Sequence, residues 1–211
     1  MQENIPKDKR EYIMNELMKK GFIVHKSNEM LLLETEESGA SELNVYLTSE
    51  DNLWIENVDK QKTELLFFQT GKSLYKRVDH MIYSRQKDNK WKLYLIEMKS
   101  CVGEKTWQDV KGKFRASYLL GLAIAGMLEL SISETVMYTT FEKVLLKPPE
   151  TMPSARRLPS GRNMVRMEDE WNGGRLCLNF GERVPFVHIP IQMNRINDML
   201  VGSLEELRKA E

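Results

Sequence analysis

Between Lys92 and Ser100 the chain reads KLYLIEMKS, and no other stretch limits the fold as strongly. Side chains alternate faces along a strand, so Leu93 and Leu95 share one face with Glu97 and Lys99, while Tyr94, Ile96 and Met98 share the other. Both faces are apolar until the C-terminal end. That pattern belongs to a central strand covered on both sides. Glu97 and Lys99 come only where such a covered sheet can open into a cleft.

A second apolar run, RVDHMIYS from Arg77 to Ser84, precedes this strand across the charged turn RQKDNK. If the turn is an odd-length loop centred on Asp88, such as Gln86 to Lys90, residue 79 pairs with residue 97. Asp79 and Glu97 then oppose each other with Cβ atoms about 4.5–5.5 Å apart, and Lys99 lies diagonally beside them. Like charges directly opposite destabilise a sheet unless something positive lies between them. A divalent cation meets that need, because two carboxylates with positions open for water and a phosphate oxygen suit Mg²⁺. An even-length turn would break the pairing. The competing reading makes these surface charges, with a modest Glu97–Lys99 pair. The apolar strand that they end, and the Asp at the matching place on the neighbouring run, weigh against it.

Around this hairpin the pattern is mixed. Lys9 to Lys20 reads as a helix stopped by Gly21. FIVH, MLLLETE, LNVYLT and LWIENV read as strands of an antiparallel meander, and TELLFF is ambiguous between strand and helix. Thr106 to Asp109 matches a capping box opening a helix from Trp107 to about Leu130, amphipathic at first and apolar nearly all round later. TVMYTTFEKVLL reads as a further strand. KPPETMPSARRLPSGRNMVR lacks periodicity and reads as a long loop or arm. RLCLNF and VPFVHIPI form a second hairpin about Gly181 and Glu182, and a terminal helix spans about Ile196 to Lys209. The expected fold class is α/β (α+β) with a mixed central sheet: a core over 1–146, and an arm, hairpin and helix over 147–211 appended to the same domain.

Lys plus Arg and Asp plus Glu number 31 each, so the protein is not coated in positive charge. A local basic groove can still serve a nucleic acid. Two isolated cysteines make neither a disulfide framework nor a zinc cluster. No apolar signal core opens the sequence, and no apolar run reaches the ~20 residues of a membrane span. A cytoplasmic protein without membrane partners is expected.

An Asp, then a strand ending in Glu-x-Lys, then a long helix and another strand resembles the PD-(D/E)xK nuclease superfamily, the restriction-endonuclease-like fold. The resemblance covers roughly Arg77 to Lys143, with the first helix as a looser match for the leading helix of the αβββαβ core. It assigns Asp79, Glu97 and Lys99 to the motif, with Val78 in place of its Pro. The Gln-x-x-x-Tyr of exonuclease-like branches is not kept, since Phe114 stands four residues before Tyr118. The resemblance implies Mg²⁺ or Mn²⁺ held by Asp79, Glu97 and the backbone carbonyl of Met98. Glu16 is the candidate for a second-metal ligand, with Glu11 and Glu56 competing. It also implies hydrolysis of phosphodiester bonds, in DNA rather than RNA, as an endonuclease; dimerisation would suit cutting two strands. The alternatives are a non-catalytic nucleic-acid-binding or assembly module of the same fold, or an RNase or nucleotide-activated nuclease.

Candidate phosphate contacts are Lys105, Lys111 and Arg115 near a helix N-terminus, which attracts anions, and an arm cluster of Arg156, Arg157, Arg162 and Arg166. His80 should turn to the face opposite Asp79 and pack rather than bind metal. His188 and His25 have no evident partner, and Cys101 reads as a small buried hydrophobe.

Overall fold

The computed structural model describes residues 7–36, 39–61, 74–146 and 167–206. Helix α1 (Lys7–Tyr12) runs into a π-helical turn at Ile13–Leu17. Strands β1 (Val24–Lys26), β2 (Glu29–Glu36), β3 (Gly39–Tyr46) and β4 (Asn52–Ile55) follow, then a 3₁₀ turn at Val58–Lys60. The quoted hairpin is β5 (His80–Arg85) and β6 (Lys90–Glu97). After β7 (Cys101–Gly103) come α2 (Glu104–Met127), β8 (Ser131–Phe141) and β9 (Lys143–Leu145). The chain continues through α3 (Met167–Asn172), β10 (Arg175–Asn179), β11 (Arg183–Gln192), β12 (Asn194–Ile196) and β13 (Met199–Glu205).

A seven-stranded mixed sheet in the order β1-β4-β5-β6-β8-β11-β10 forms the centre. β1, β4, β5 and β6 pair antiparallel in turn, whereas β6–β8 and β8–β11 are parallel. A parallel neighbour requires a crossover, and α2 supplies the one between β6 and β8. Leu93, Leu95, Met81 and Met137 pack with Val110, Phe114 and Ile124 of α2 in one core. On the other face Ile82, Tyr94, Ile96 and Tyr138 pack with Leu32, Leu43 and Leu200 of a four-stranded sheet, β12-β13-β3-β2. Helix, sheet and sheet thus form three layers. β6 lies in the middle, and Leu93, Leu95 and Ile96 are wholly buried. Each such side chain contributes about 1.5–3 kcal/mol by leaving water, which accounts for a strand apolar on both faces.

The register depends on the turn. Gln86 N–H donates to Lys90 O, and Asp88 and Asn89 take left-handed φ values of 63° and 58°. Arg85 pairs with Trp91 and His80 with Ile96. One step further along the same ladder, Asp79 falls opposite Glu97, as the odd-length turn requires.

Four expectations need correction. The four early strands do not form one meander: β2 and β3 belong to the second sheet, while β1 reaches past them to pair with β4. The described part of the expected terminal helix is instead a hairpin, β12–β13, and residues 207–209 lie outside the described residues. Its apolar spacing is helix-like, but Asn197 and Asp198 both adopt positive φ, 47° and 65°, the geometry of a two-residue type I′ turn. α2 begins at Glu104, with Gly103 at its N-cap and no side-chain cap, so Thr106 lies inside the first turn. The first helix leaves helical geometry at Met18. The C-terminal segment joins the same layers: β10 and β11 extend the central sheet, and β13 pairs with β3. TELLFF lies outside the described residues.

Candidate active site

Asp79 ends the loop entering β5, and three bonds fix it there. Val58 N–H donates to its backbone carbonyl at 2.8 Å, and Met98 N–H donates to Oδ2 at 2.6 Å. Next to it, Val78 N–H donates to Ser117 Oγ of α2 at 2.9 Å. Glu97, at the end of β6, is wholly buried. Lys99 is held through its backbone: its N–H donates to Thr140 Oγ1 at 2.9 Å, and that hydroxyl donates back to the Lys99 carbonyl at 3.2 Å.

The two carboxylates meet at a residue that the sequence reading missed. Lys113 Nζ, from α2, lies 2.7 Å from Glu97 Oε1 and 3.6 Å from Asp79 Oδ1. Lys99 Nζ approaches the same Glu97 oxygen at 3.1 Å. Glu97 Oε2 is buried and has no hydrogen-bond partner. The signal for Lys113 was present. Val110, Phe114, Ser117 and Gly121 make the sheet-facing stripe of α2 at spacings of three and four, and Lys113 lies on that stripe.

Burial dominates the electrostatics. It pushes the Asp79 carboxyl up from 3.8 to about 7, with the Glu97 charge adding to the effect; Lys113, Lys99 and the Met98 N–H oppose it. Burial also raises Glu97, although Lys113 and Lys99 pull it down. For Lys113 burial disfavours the charge, but Glu97 and Asp79 outweigh it and its pKa rises. The pair is thus costly as two anions, and stabilises any cation that reaches it.

Above the carboxylates lies a cleft of about 580 Å³. Glu97, Lys99, Lys105 and Lys113 line it, together with Asp59 and Asp109. Glu16 is exposed on the π-helical turn and does not line this cleft; the acid that does so from the N-terminal half is Asp59. Glu11 instead lies 2.7 Å from His25 Nε2, and Glu56 is exposed. Among the described residues no third acid, His or Cys completes a cluster of three with the pair. Two carboxylates, one with an orphaned buried oxygen, still fit an ion such as Mg²⁺, which retains several waters and needs only one or two protein carboxylates.

The remaining candidates separate. Lys111 Nζ lies 2.6 Å from the buried Glu170 and, with Arg115, lines a neighbouring cleft. Arg156, Arg157, Arg162 and Arg166 fall outside the described residues. His80 faces the second sheet, buried beside Trp54, where burial and Lys60 lower its pKa to about 4. His188 has partners after all: its Nε2 lies 3.0 Å from Thr139 Oγ1, and Trp107, Trp171 and Phe114 surround the ring. Burial lowers it to about 3. Cys101 is exposed, since Val102 takes the buried side of the short β7.

No helix among the described residues is long and apolar enough to cross a membrane. Compared with protein-family models, curated proteins and solved structures, the chain matches none.

Proposed function

We propose that this protein is a metal-dependent nuclease with a restriction-endonuclease-like core. One observation carries the reading: two buried, opposed carboxylates meet at a single ammonium on the floor of a lysine-lined cleft, and one carboxylate oxygen there lacks a partner. The chain order supports it. α1 leads, β4, β5 and β6 pair antiparallel in turn, and α2 crosses to β8, which is parallel to β6.

Asp79 and Glu97 would hold Mg²⁺ or Mn²⁺, with the Met98 carbonyl as a further oxygen. Such an ion would supply Lewis-acid polarisation of a phosphoryl oxygen and a water of lowered pKa. Lys99, fixed by Thr140 through its backbone, would present its ammonium to the charge that builds on the phosphoryl oxygens. Lys113 holds the two carboxylates together. Its side chain is 20% exposed, so it lies between the buried acids and the open cleft, where a phosphate would enter.

The same lysine favours a second reading. Two ammonium groups already balance two carboxylates, as would suit a binding module that needs no metal. Incubation with plasmid, linear duplex, single-stranded DNA and RNA, under Mg²⁺, Mn²⁺ or EDTA, separates the two. The nuclease reading expects metal-dependent cleavage that Lys99→Ala reduces about 10²–10³-fold. Binding without cleavage on every substrate transfers the assignment to the binding module.

A further inference from the structure

The cleft above Glu97 does not stand alone. A second cleft of about 450 Å³ lies between the first half of α2 and the β10–β11 hairpin, and Lys76 and Asp109 line both. These two side chains are joined by an ion pair of 3.1 Å, each about half exposed. The clefts therefore adjoin at this ion pair and together form a groove across the N-terminal half of α2.

Charge is concentrated along this groove. The first cleft has Lys76, Lys99, Lys105 and Lys113, with the buried Arg77 behind them, against Asp59, Glu97 and Asp109, and Asp79 lies 3.6 Å from Lys113, so the excess of positive charge is in the second cleft. The second adds Lys111, Arg115 and Arg183 and no acid beyond Asp109. Glu170 lies buried behind it, 2.6 Å from Lys111 and 3.7 Å from Arg183, and offsets part of that charge. In a chain with a net charge of zero, such an excess marks where a polyanion is drawn. The neutral amides of Gln108 and Asn179 also line the second cleft and offer donors and acceptors to base edges.

We infer that a single strand of nucleic acid lies along this groove, its scissile phosphate over Glu97 and the adjoining nucleotides across α2 in the Lys111–Arg115–Arg183 cleft. Glu97 is fully buried behind the part-exposed Lys99 and Lys113, so a phosphate meets these ammonium groups first, and a single extended strand can follow them into the cleft. Tyr75, 39% exposed, stands at the wall of the first cleft. An aromatic ring beside a basic groove is the arrangement that tracks single strands through stacking and phosphate contact. The inference rests on the nuclease reading for the place of the scissile phosphate; the path itself depends only on the groove.

Fluorescence anisotropy with labelled single-stranded DNA, single-stranded RNA and a duplex of equal length, all in EDTA, tests the path. Both single strands should bind more tightly than the duplex, and the better of them identifies the natural chemistry. The double variant Arg115→Gln/Arg183→Gln should weaken single-strand binding about tenfold or more. Its salt slope should fall by about 1.4, because each lost single-strand phosphate contact removes about 0.7. Lys105→Gln, an exposed change in the first cleft, should lower the slope by about half as much and guards against misfolding of the double variant. Unchanged affinity and slope in both basic variants, or tighter duplex binding, overturns the path even if the wild type cleaves. Arginine-dependent single-strand binding without cleavage under any metal leaves the path standing and removes the nuclease reading.

Discussion

Asp79→Asn should change how stability depends on pH in the metal-free protein. Asp79 has its carboxyl raised from 3.8 to about 7, chiefly by burial and then by Glu97. A carboxyl raised on folding binds a proton more readily in the folded state than in the unfolded one. Its favourable contribution is complete below about pH 4 and disappears as pH rises through about 7. Each pKa unit corresponds to about 1.4 kcal/mol, so about 4 kcal/mol of stability should be lost across that window. Asn keeps an oxygen to accept the Met98 N–H at 2.6 Å but cannot ionise, so the variant should lack this part of the slope. Removing the Asp79 charge also eases ionisation of Glu97, which flattens the curve further. Urea denaturation in EDTA between pH 4 and 8 measures the difference. The variant should gain on the wild type by about 4 kcal/mol as pH rises, or about 8–16 °C in Tm for a chain of this size. Parallel curves would refute the reasoning: the pair would then not be strained as two anions, and a metal would gain nothing by relieving it.

Two further changes test the supports of the site. Thr140→Val removes the hydroxyl that accepts from Lys99 N–H, which should cost about 1–3 kcal/mol for an unsatisfied donor; equal denaturation midpoints would show that Lys99 is held otherwise. Lys111→Met should cost about 1.5–3 kcal/mol for the lost charge-assisted bond to buried Glu170, and Glu170→Gln in the same chain should recover part of it. Stability unaffected by Lys111→Met would point to a surface role for Lys111.

The parts of the fold that were legible in the sequence depended on local chemistry. The odd turn about Asp88 set the ladder that opposes Asp79 and Glu97, and the doubly apolar run placed β6 centrally. The turn about Gly181, whose φ is 97°, likewise marked the β10–β11 hairpin. What was not legible depended on partners distant in the chain. β2 and β3 read, like β1 and β4, only as short apolar runs between turns, so nothing in their sequence assigns them to a separate sheet that β13 completes from the other end of the chain. Asn197 and Asp198 reverse the chain inside a stretch whose apolar spacing suits a helix, so the turn overrode the period. Lys113 was hidden for another reason. Lys111 and Arg115, four apart on one side of the helix, drew attention as phosphate contacts, whereas the lysine between them lies on the stripe that packs on the sheet. A lysine on such a stripe needs a buried partner, and two acids supply it.

The central claim is that Asp79 and Glu97 form a divalent-cation site, and isothermal calorimetry with Mn²⁺ at pH 7.5 tests it most directly. The wild type should bind with protons released as the raised carboxyls ionise, so the apparent heat should vary between buffers of different ionisation enthalpy. Asp79→Ala and Glu97→Gln should abolish that binding, while Lys99→Ala should keep most of it. Binding by the wild type that survives both carboxylate changes, or no binding by a folded wild type, would contradict the account.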